Sequence, residues 1–95
     1  MHVVIRRWSN GGALADAMIE RRQDVETLLR DVPGFVAYYA VRDGDTVSTV
    51  TVCNDQAGTH ESTRRAGEWV RQNLTGTSMA PPEVSEGETF IQFNA

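Results

Sequence analysis

The chain has 95 residues, enough for one hydrophobic core and too few for two, so residues 1–95 are expected to form a single domain. Nine arginines, no lysine and 13 acidic residues leave a formal net charge of −4, which repels a phosphate backbone and argues against nucleic-acid binding. The single cysteine rules out an internal disulfide framework and a zinc site built on paired thiolates. No stretch reaches the roughly 20 apolar residues of a membrane span or the apolar run of a signal peptide, so a cytoplasmic protein is expected.

His2 to Trp8 is rich in β-branched and aromatic residues and ends at Ser9-Asn10-Gly11-Gly12, which predicts a first strand closed by turn-forming residues. From Ala13 to Arg30, Leu14, Met18, Val25, Leu28 and Leu29 recur at the spacing of one helix face, and Val32-Pro33-Gly34 stops the pattern. Two β-rich runs follow, Phe35–Arg42 and Thr46–Cys53. They are separated by Asp43-Gly44-Asp45, the signature of an antiparallel hairpin. Asn54 or Asp55 can cap a second helix from Gln56 to about Leu74, with Ser62, Ala66, Trp69, Val70 and Leu74 on one face. Gly76 and Pro81-Pro82 end it, and a last strand is expected around Thr89-Phe90-Ile91-Gln92-Phe93.

The order βαββαβ predicts an α+β, ferredoxin-like domain: a four-stranded antiparallel sheet with two helices on one face. The other face poses a problem. Phe35, Ala37, Tyr39 and Val41 alternate with Val36, Tyr38 and Ala40, so the second strand is apolar on both sides, whereas a sheet with one wet face alternates apolar with polar. With no further element to cover the second face, the pattern predicts a homodimer through that face, related by a two-fold axis.

Few residues offer chemistry. His2 and His60 are the only histidines, and no spaced set of ligands points to a metal or other cofactor. His60-Glu61 has the elements of an acid–base pair, although adjacent helical positions do not share a face, so a solvated first turn is the plainer reading. Trp69 is placed to wall a cleft between helix and sheet, or simply to fill the core. Tyr38 and Tyr39 must point to opposite faces, so at most one of them lines a pocket. Arg6 and Arg7 also split between faces, and whichever points inward must be paired or bind an anion, because an unpaired buried charge is costly. Cys53 reads as a small buried thiol, since a reactive one needs a cationic or helix-terminal setting. Asn10-Gly11-Gly12 matches no phosphate-binding pattern and reads as a turn.

The segment Val32-Pro33-Gly34-Phe35-Val36-Ala37-Tyr38, followed by a hairpin and a strand ending Cys53-Asn54-Asp55, resembles the antibiotic biosynthesis monooxygenase family from about Val3 to Leu74. That resemblance implies the dimeric α+β barrel fold and a cleft between helices and sheet that holds a small aromatic or quinol-like ligand. The cofactor-independent oxygenases of the family oxidise such compounds, and Trp69, His60, Tyr38, Tyr39 and Arg6 are the residues here that can line a cleft of this kind. The haem-degrading branch is disfavoured, because it uses a histidine beyond its helical tryptophan and none follows Trp69. The fold also hosts proteins without catalytic activity, so a non-catalytic ligand-binding or assembly protein is the alternative.

Overall fold

A computed structural model describes residues 1–76 and 79–95. It contains β1 (His2–Trp8), α1 (Gly12–Glu20), α2 (Arg22–Arg30), β2 (Phe35–Asp43), β3 (Thr46–Cys53), α3 (Gln56–Asn73) and β4 (Glu83–Glu88). The strands form one antiparallel sheet in the order β2-β3-β1-β4, the ferredoxin-like arrangement expected from the sequence. All of the described helices run along one face of it. No described helix is long and apolar enough to cross a membrane.

Turn chemistry sets the corners. Pro33 and Gly34 occupy the middle of a tight turn in which Phe35 N–H donates to Val32 O, and Gly34 takes the positive φ of 75° that such a turn requires. Gly44 does the same for the β2–β3 hairpin, with φ 61°. The cap of α3 is Asp55 rather than Asn54: its carboxylate accepts the Gly58 N–H at 3.2 Å.

Three features depart from the sequence reading. The expected helix from Ala13 to Arg30 is two helices, because Arg21 leaves helical geometry at φ −111°, ψ 35°. The break carries neither Gly nor Pro, and on both sides of it Met18 and Leu29 keep facing the sheet. In β2, a bulge between Phe35 and Ala37 sets Phe35 opposite Cys53 and Ala37 opposite Val52. Phe35 therefore loses the parity it would share with Ala37, Tyr39 and Val41. The third is the last strand, which is Glu83–Glu88 and not Thr89–Phe93.

Charge and backbone pairing decide that strand. Glu83 sits opposite Arg7 with its carboxylate 3.6 Å from the guanidinium, Glu88 reaches the amino group of Met1 at 3.2 Å, and Glu86 reaches His60 at 3.2 Å. Cross-strand pairs of opposite charge favour this register for an edge strand with no apolar face. The ladder to β1 ends where Thr89 N–H donates to Met1 O. Past that bond Phe90, Ile91 and Phe93 have no strand beside them, and Phe90 is 92% exposed.

The core lies at one end of the helix–sheet interface, where Trp8 and Val47 from the sheet meet Leu14 and Ala15 of α1, with Met18, Trp69, Val70 and Leu74 packed around them. At the other end α3 comes very close to the sheet and the Pro33 turn. A methyl group on Gly58 would lie 2.7 Å from both Cys53 Cβ and Pro33 O. Arg65, held in place by Glu61, ties α3 to the end of α2. Glu61 accepts from Arg64 and Arg65 at 2.7 Å each, and Arg65 also donates to Leu28 O and to Asp31 Oδ2 at the end of α2. Hydrogen bonds from Arg64 and then Arg65 hold the Glu61 carboxyl down at about 2, from an ordinary 4.5.

Two predictions follow from these contacts. Gly58→Ala should lose about 1–2 kcal/mol in urea unfolding because its methyl meets fixed backbone. Gly67→Ala, on the same helix with no atom nearer than 3.7 Å, should gain up to about 1 kcal/mol. Because the folded state depresses the Glu61 pKa, its contribution is fully present above 4.5 and is lost as pH falls toward 2. The stability gap between the parent protein and Glu61→Gln should therefore be constant from neutral pH down to about 5 and close below it. A gap that does not change down to the acid limit would contradict this.

Candidate functional site

Strand parity sorts the residues of β1 cleanly. His2, Val4, Arg6 and Trp8 point under the helices, while Ile5 and Arg7 point away and are exposed. In β3 the buried set is Val47, Thr49, Thr51 and Cys53. Tyr38, paired with Thr51, faces the helices from β2, and Tyr39, paired with Val50, faces outward and is 62% exposed. The middle of the covered sheet face is therefore polar, with Arg6, Thr49 and Thr51 side by side, and the apolar core is displaced to one end.

Arg6 is 2% exposed. Its Nη1 donates to Thr51 Oγ1 at 3.2 Å, and its Nη2 donates to Ser62 Oγ and Thr63 Oγ1 of α3, both at 2.8 Å. Each of the α3 hydroxyls spends its own proton on Thr59 O, so each meets Arg6 as an acceptor. Among the described residues no carboxylate lies within 4.0 Å of this guanidinium, and Nε–H has no partner. Burial lowers the Arg6 pKa, against smaller opposing effects of Tyr38, Cys53 and Glu86. An arginine nevertheless keeps its charge inside a protein.

Beside Arg6 an inner cavity of about 30 Å³ is walled by Trp8, Leu14, Trp69 and Val70, with Tyr38 and Thr49 at its polar end. That space fits one or two waters, since one water needs roughly 10–15 Å³. Met18, Val25, Leu29 and Tyr38 border both this cavity and a groove of about 700 Å³ between α2 and β2. The groove is large enough for a small organic molecule. It reaches the outside past Arg22, Glu26 and Arg30, and Tyr39 lies on its rim. Burial raises the Tyr38 pKa, partly offset by Arg6 and by the neighbouring Thr49 hydroxyl, so Tyr38 is a neutral phenol at neutral pH. Thr49 Oγ1 itself is buried and makes no well-directed hydrogen bond.

The structure thus brings together Arg6, Tyr38 and Trp69 around the inner cavity and sets Tyr39 on the groove. His60 stands apart from both. Its Nε2 lies 3.2 Å from Glu86, while its chain neighbour Glu61 turns to Arg64 and Arg65. Glu86 also lies 4.0 Å from His2 Nδ1, whose closer partner is the Thr59 hydroxyl at 2.9 Å. That hydroxyl donates to Gln56 O, so Nδ1 carries the proton. Cys53 is fully buried and its thiol is pushed up, by burial first and then by Asp55, which leaves it protonated and unreactive. The sequence reading placed Ser62 on the inner helix face but gave Thr49, Thr51, Ser62 and Thr63 no role at the site. Period-two alternation of Thr in β3, reading Val-Ser-Thr-Val-Thr, is the signal that would have placed hydroxyls beside Arg6.

No protein-family profile matches this sequence, and no curated protein matches it. Solved structures do. A protein of unknown function from Nitrosomonas europaea aligns over 99% of this chain and 93% of its own, at 19% identity and a TM-score of 0.74. The monooxygenase ActVA-Orf6 of Streptomyces coelicolor, solved in complex with the ligand nanaomycin D, aligns over 99% and 91% at 13% identity and a TM-score of 0.72. A dimeric ferredoxin-like protein from an uncultured marine organism aligns over 99% and 97% at 11% identity and a TM-score of 0.69. The chain therefore has the ferredoxin-like α+β fold that antibiotic biosynthesis monooxygenase structures share.

Proposed function

We propose that the protein is a small-molecule-binding homodimer whose cleft takes an aromatic or quinol-like compound, and that it oxygenates this compound without a cofactor. The observation that carries the reading is a groove of about 700 Å³ leading past Tyr38 into a cavity walled by Trp8 and Trp69. Flat apolar walls and a few polar groups at one end suit a planar ring bearing an oxygen. The walls would also shield the ring from water, which strengthens every polar contact made to it. The same fold occurs in a monooxygenase solved in complex with the ligand nanaomycin D, which supports a small-molecule cleft.

The competing reading, a binding protein without catalysis, draws on one observation: the inner cavity of about 30 Å³ is too small for a ring unless the helices part. Oxygen uptake separates the two. Metal-free protein supplied with a panel of substituted hydroquinones and phenols should consume oxygen above the uncatalysed rate. Binding of those compounds with no uptake would leave the non-catalytic protein and rule out the oxygenase.

The dimer rests on the outer sheet face, where Val3, Ile5, Val50, Val52, Tyr39 and Val41 stand together with no helix over them. Apolar patches of this kind mark interaction surfaces, and a short chain gains more than a long one by covering them. Phe90, Ile91 and Phe93, which overrun the sheet, add apolar surface for the same partner to cover. Light scattering should give about twice 10.5 kDa. Ile5→Glu, at a half-exposed position on an inner strand of that face, should give a folded monomer. A parent protein that stays monomeric at micromolar concentration would overturn this part of the reading.

A further inference from the structure

We propose that α2 is a hinged lid, which lifts away from β2 to join the inner cavity and the groove into one ligand site, and that Arg65 is the catch that holds it closed. This inference rests on the reading of the cleft as a small-molecule site and specifies how a ring gains entry to it.

The position of α2 between two empty spaces is the first reason. Four residues border both the inner cavity and the groove, and two of them, Val25 and Leu29, belong to α2. A third, Met18, stands shortly before the break at Arg21, and only Tyr38 comes from the sheet. The helix is therefore the partition between a space of about 30 Å³, too small for a ring, and one of about 700 Å³ that opens to the outside. Outward movement of α2 removes the partition and lets a ring reach Trp8 and Trp69.

The weak hold on α2 is the second. It has nine residues, of which only Leu29 is buried, and a helix shorter than about 12 residues depends on packing for its stability. Among the described residues no side-chain hydrogen bond joins α2 to β2, and Arg65 is what ties it to α3, through Leu28 O and Asp31 Oδ2 at 3.2 Å each. The other helices are pinned more firmly. The start of α1 is bonded to the hairpin by Gly11 N–H to Asp45 O and by Arg42 to Asp16. Arg6 and His2 fasten α3 to the sheet through Ser62, Thr63 and Thr59.

The third reason is that both ends of α2 are built as hinges. Lid motions are absorbed by a few residues at the ends of elements. At one end Arg21 has already left helical geometry, and no side chain caps the start of α2. At the other, the helix runs into the Pro33-Gly34 turn, with Val32 buried as the fixed point beyond it. Arg65 grips the lid at this second end.

Thiol labelling tests the motion. Thr49 borders the inner cavity but not the groove, is 1% exposed and has an unpartnered hydroxyl, so Thr49→Cys is a nearly isosteric change that places a thiol behind the lid. Cys53, fully buried beneath Gly58 of α3, becomes accessible when the whole domain unfolds. Iodoacetamide under native conditions should alkylate the introduced thiol at least about tenfold faster than Cys53. Adding Arg65→Gln should widen that ratio by about fivefold, the effect of losing one modest set of hydrogen bonds. Arg64→Gln, which breaks contacts within α3 alone, should leave the ratio unchanged. With Thr49 intact, 1-naphthol, a two-ring phenol detected by quenching of the chain's two tryptophans, should enter Arg65→Gln about fivefold faster than the parent.

Alkylation of both thiols together, at the rate of global unfolding, would overturn the lid and leave the cleft reading intact. An Arg65→Gln protein in which neither the labelling ratio nor the rate of entry moves would overturn Arg65 as the catch. Early labelling of the introduced thiol with no quenching by 1-naphthol would overturn the cleft reading instead, and with it any site for α2 to cover.

Discussion

A single sheet has two faces, and the helices of this chain lie over one of them. Most of the molecule's organisation follows from that constraint. The covered face accommodates the core, the buried polar row and the cavity. The uncovered face keeps Ile5, Tyr39 and Val41 in contact with solvent. A chain of this length buries only roughly 60–65% of its unfolded surface, so it has no spare element with which to close the second side. The same economy explains why β2 and β4 differ as edges. β2 borders an open groove beneath α2, whereas β4 is a polar strip held by its backbone and its charges.

The covered face is not packed uniformly. Trp8, Leu14 and Val47 form a tight cluster near one end, and Gly58 lets α3 press directly against Cys53 and Pro33 at the other. Between them lies a stretch in which Arg6, Thr49 and Thr51 occupy positions that Val or Leu would fill in a protein optimised for stability. Each fully buried aliphatic side chain is worth about 1.5–3 kcal/mol. Three polar residues in the middle of so small a core therefore forgo a large share of what packing could contribute. A domain of this size has a total stability of only about 5–15 kcal/mol, and a sacrifice on that scale is most often found where a protein binds or reacts.

The fold was legible because its corners are written in residues with strong backbone preferences. Pro33-Gly34, Gly44 and Asp55 each sit where the structure turns or a helix begins, and the element order between them admits one familiar sheet. What could not be read are features that depend on contacts distant in sequence. Arg21 breaks a helix with no local breaker, and the bulge beside Val36 exists only relative to β3. Thr89–Phe93 has the composition of a strand, yet Glu83–Glu88 takes that role because β1 offers it cations and a backbone in register. At the site, alternation alone separated Tyr38 from Tyr39 and Arg6 from Arg7. Which of each pair points inward, and the hydroxyls that receive Arg6, required the packed α3 helix to be in place.

The acidic edge strand has a consequence for how copies of the chain can meet. Exposed strand edges invite further strands to add on, and one edge joined to the next builds an open-ended fibre. Here the outer rim of the sheet is the polar strand β4, whose Glu83, Glu86 and Glu88 are held by Arg7, His60 and the Met1 amino group, so an incoming strand finds charged contacts and no apolar row to pack on. Growth along the hydrogen-bonding direction is thereby discouraged at that rim, while the flat apolar side carries no such barrier. The distribution of charge thus works as a selection rule: association that ends after two copies is permitted, and association that could continue without limit is penalised at its first step.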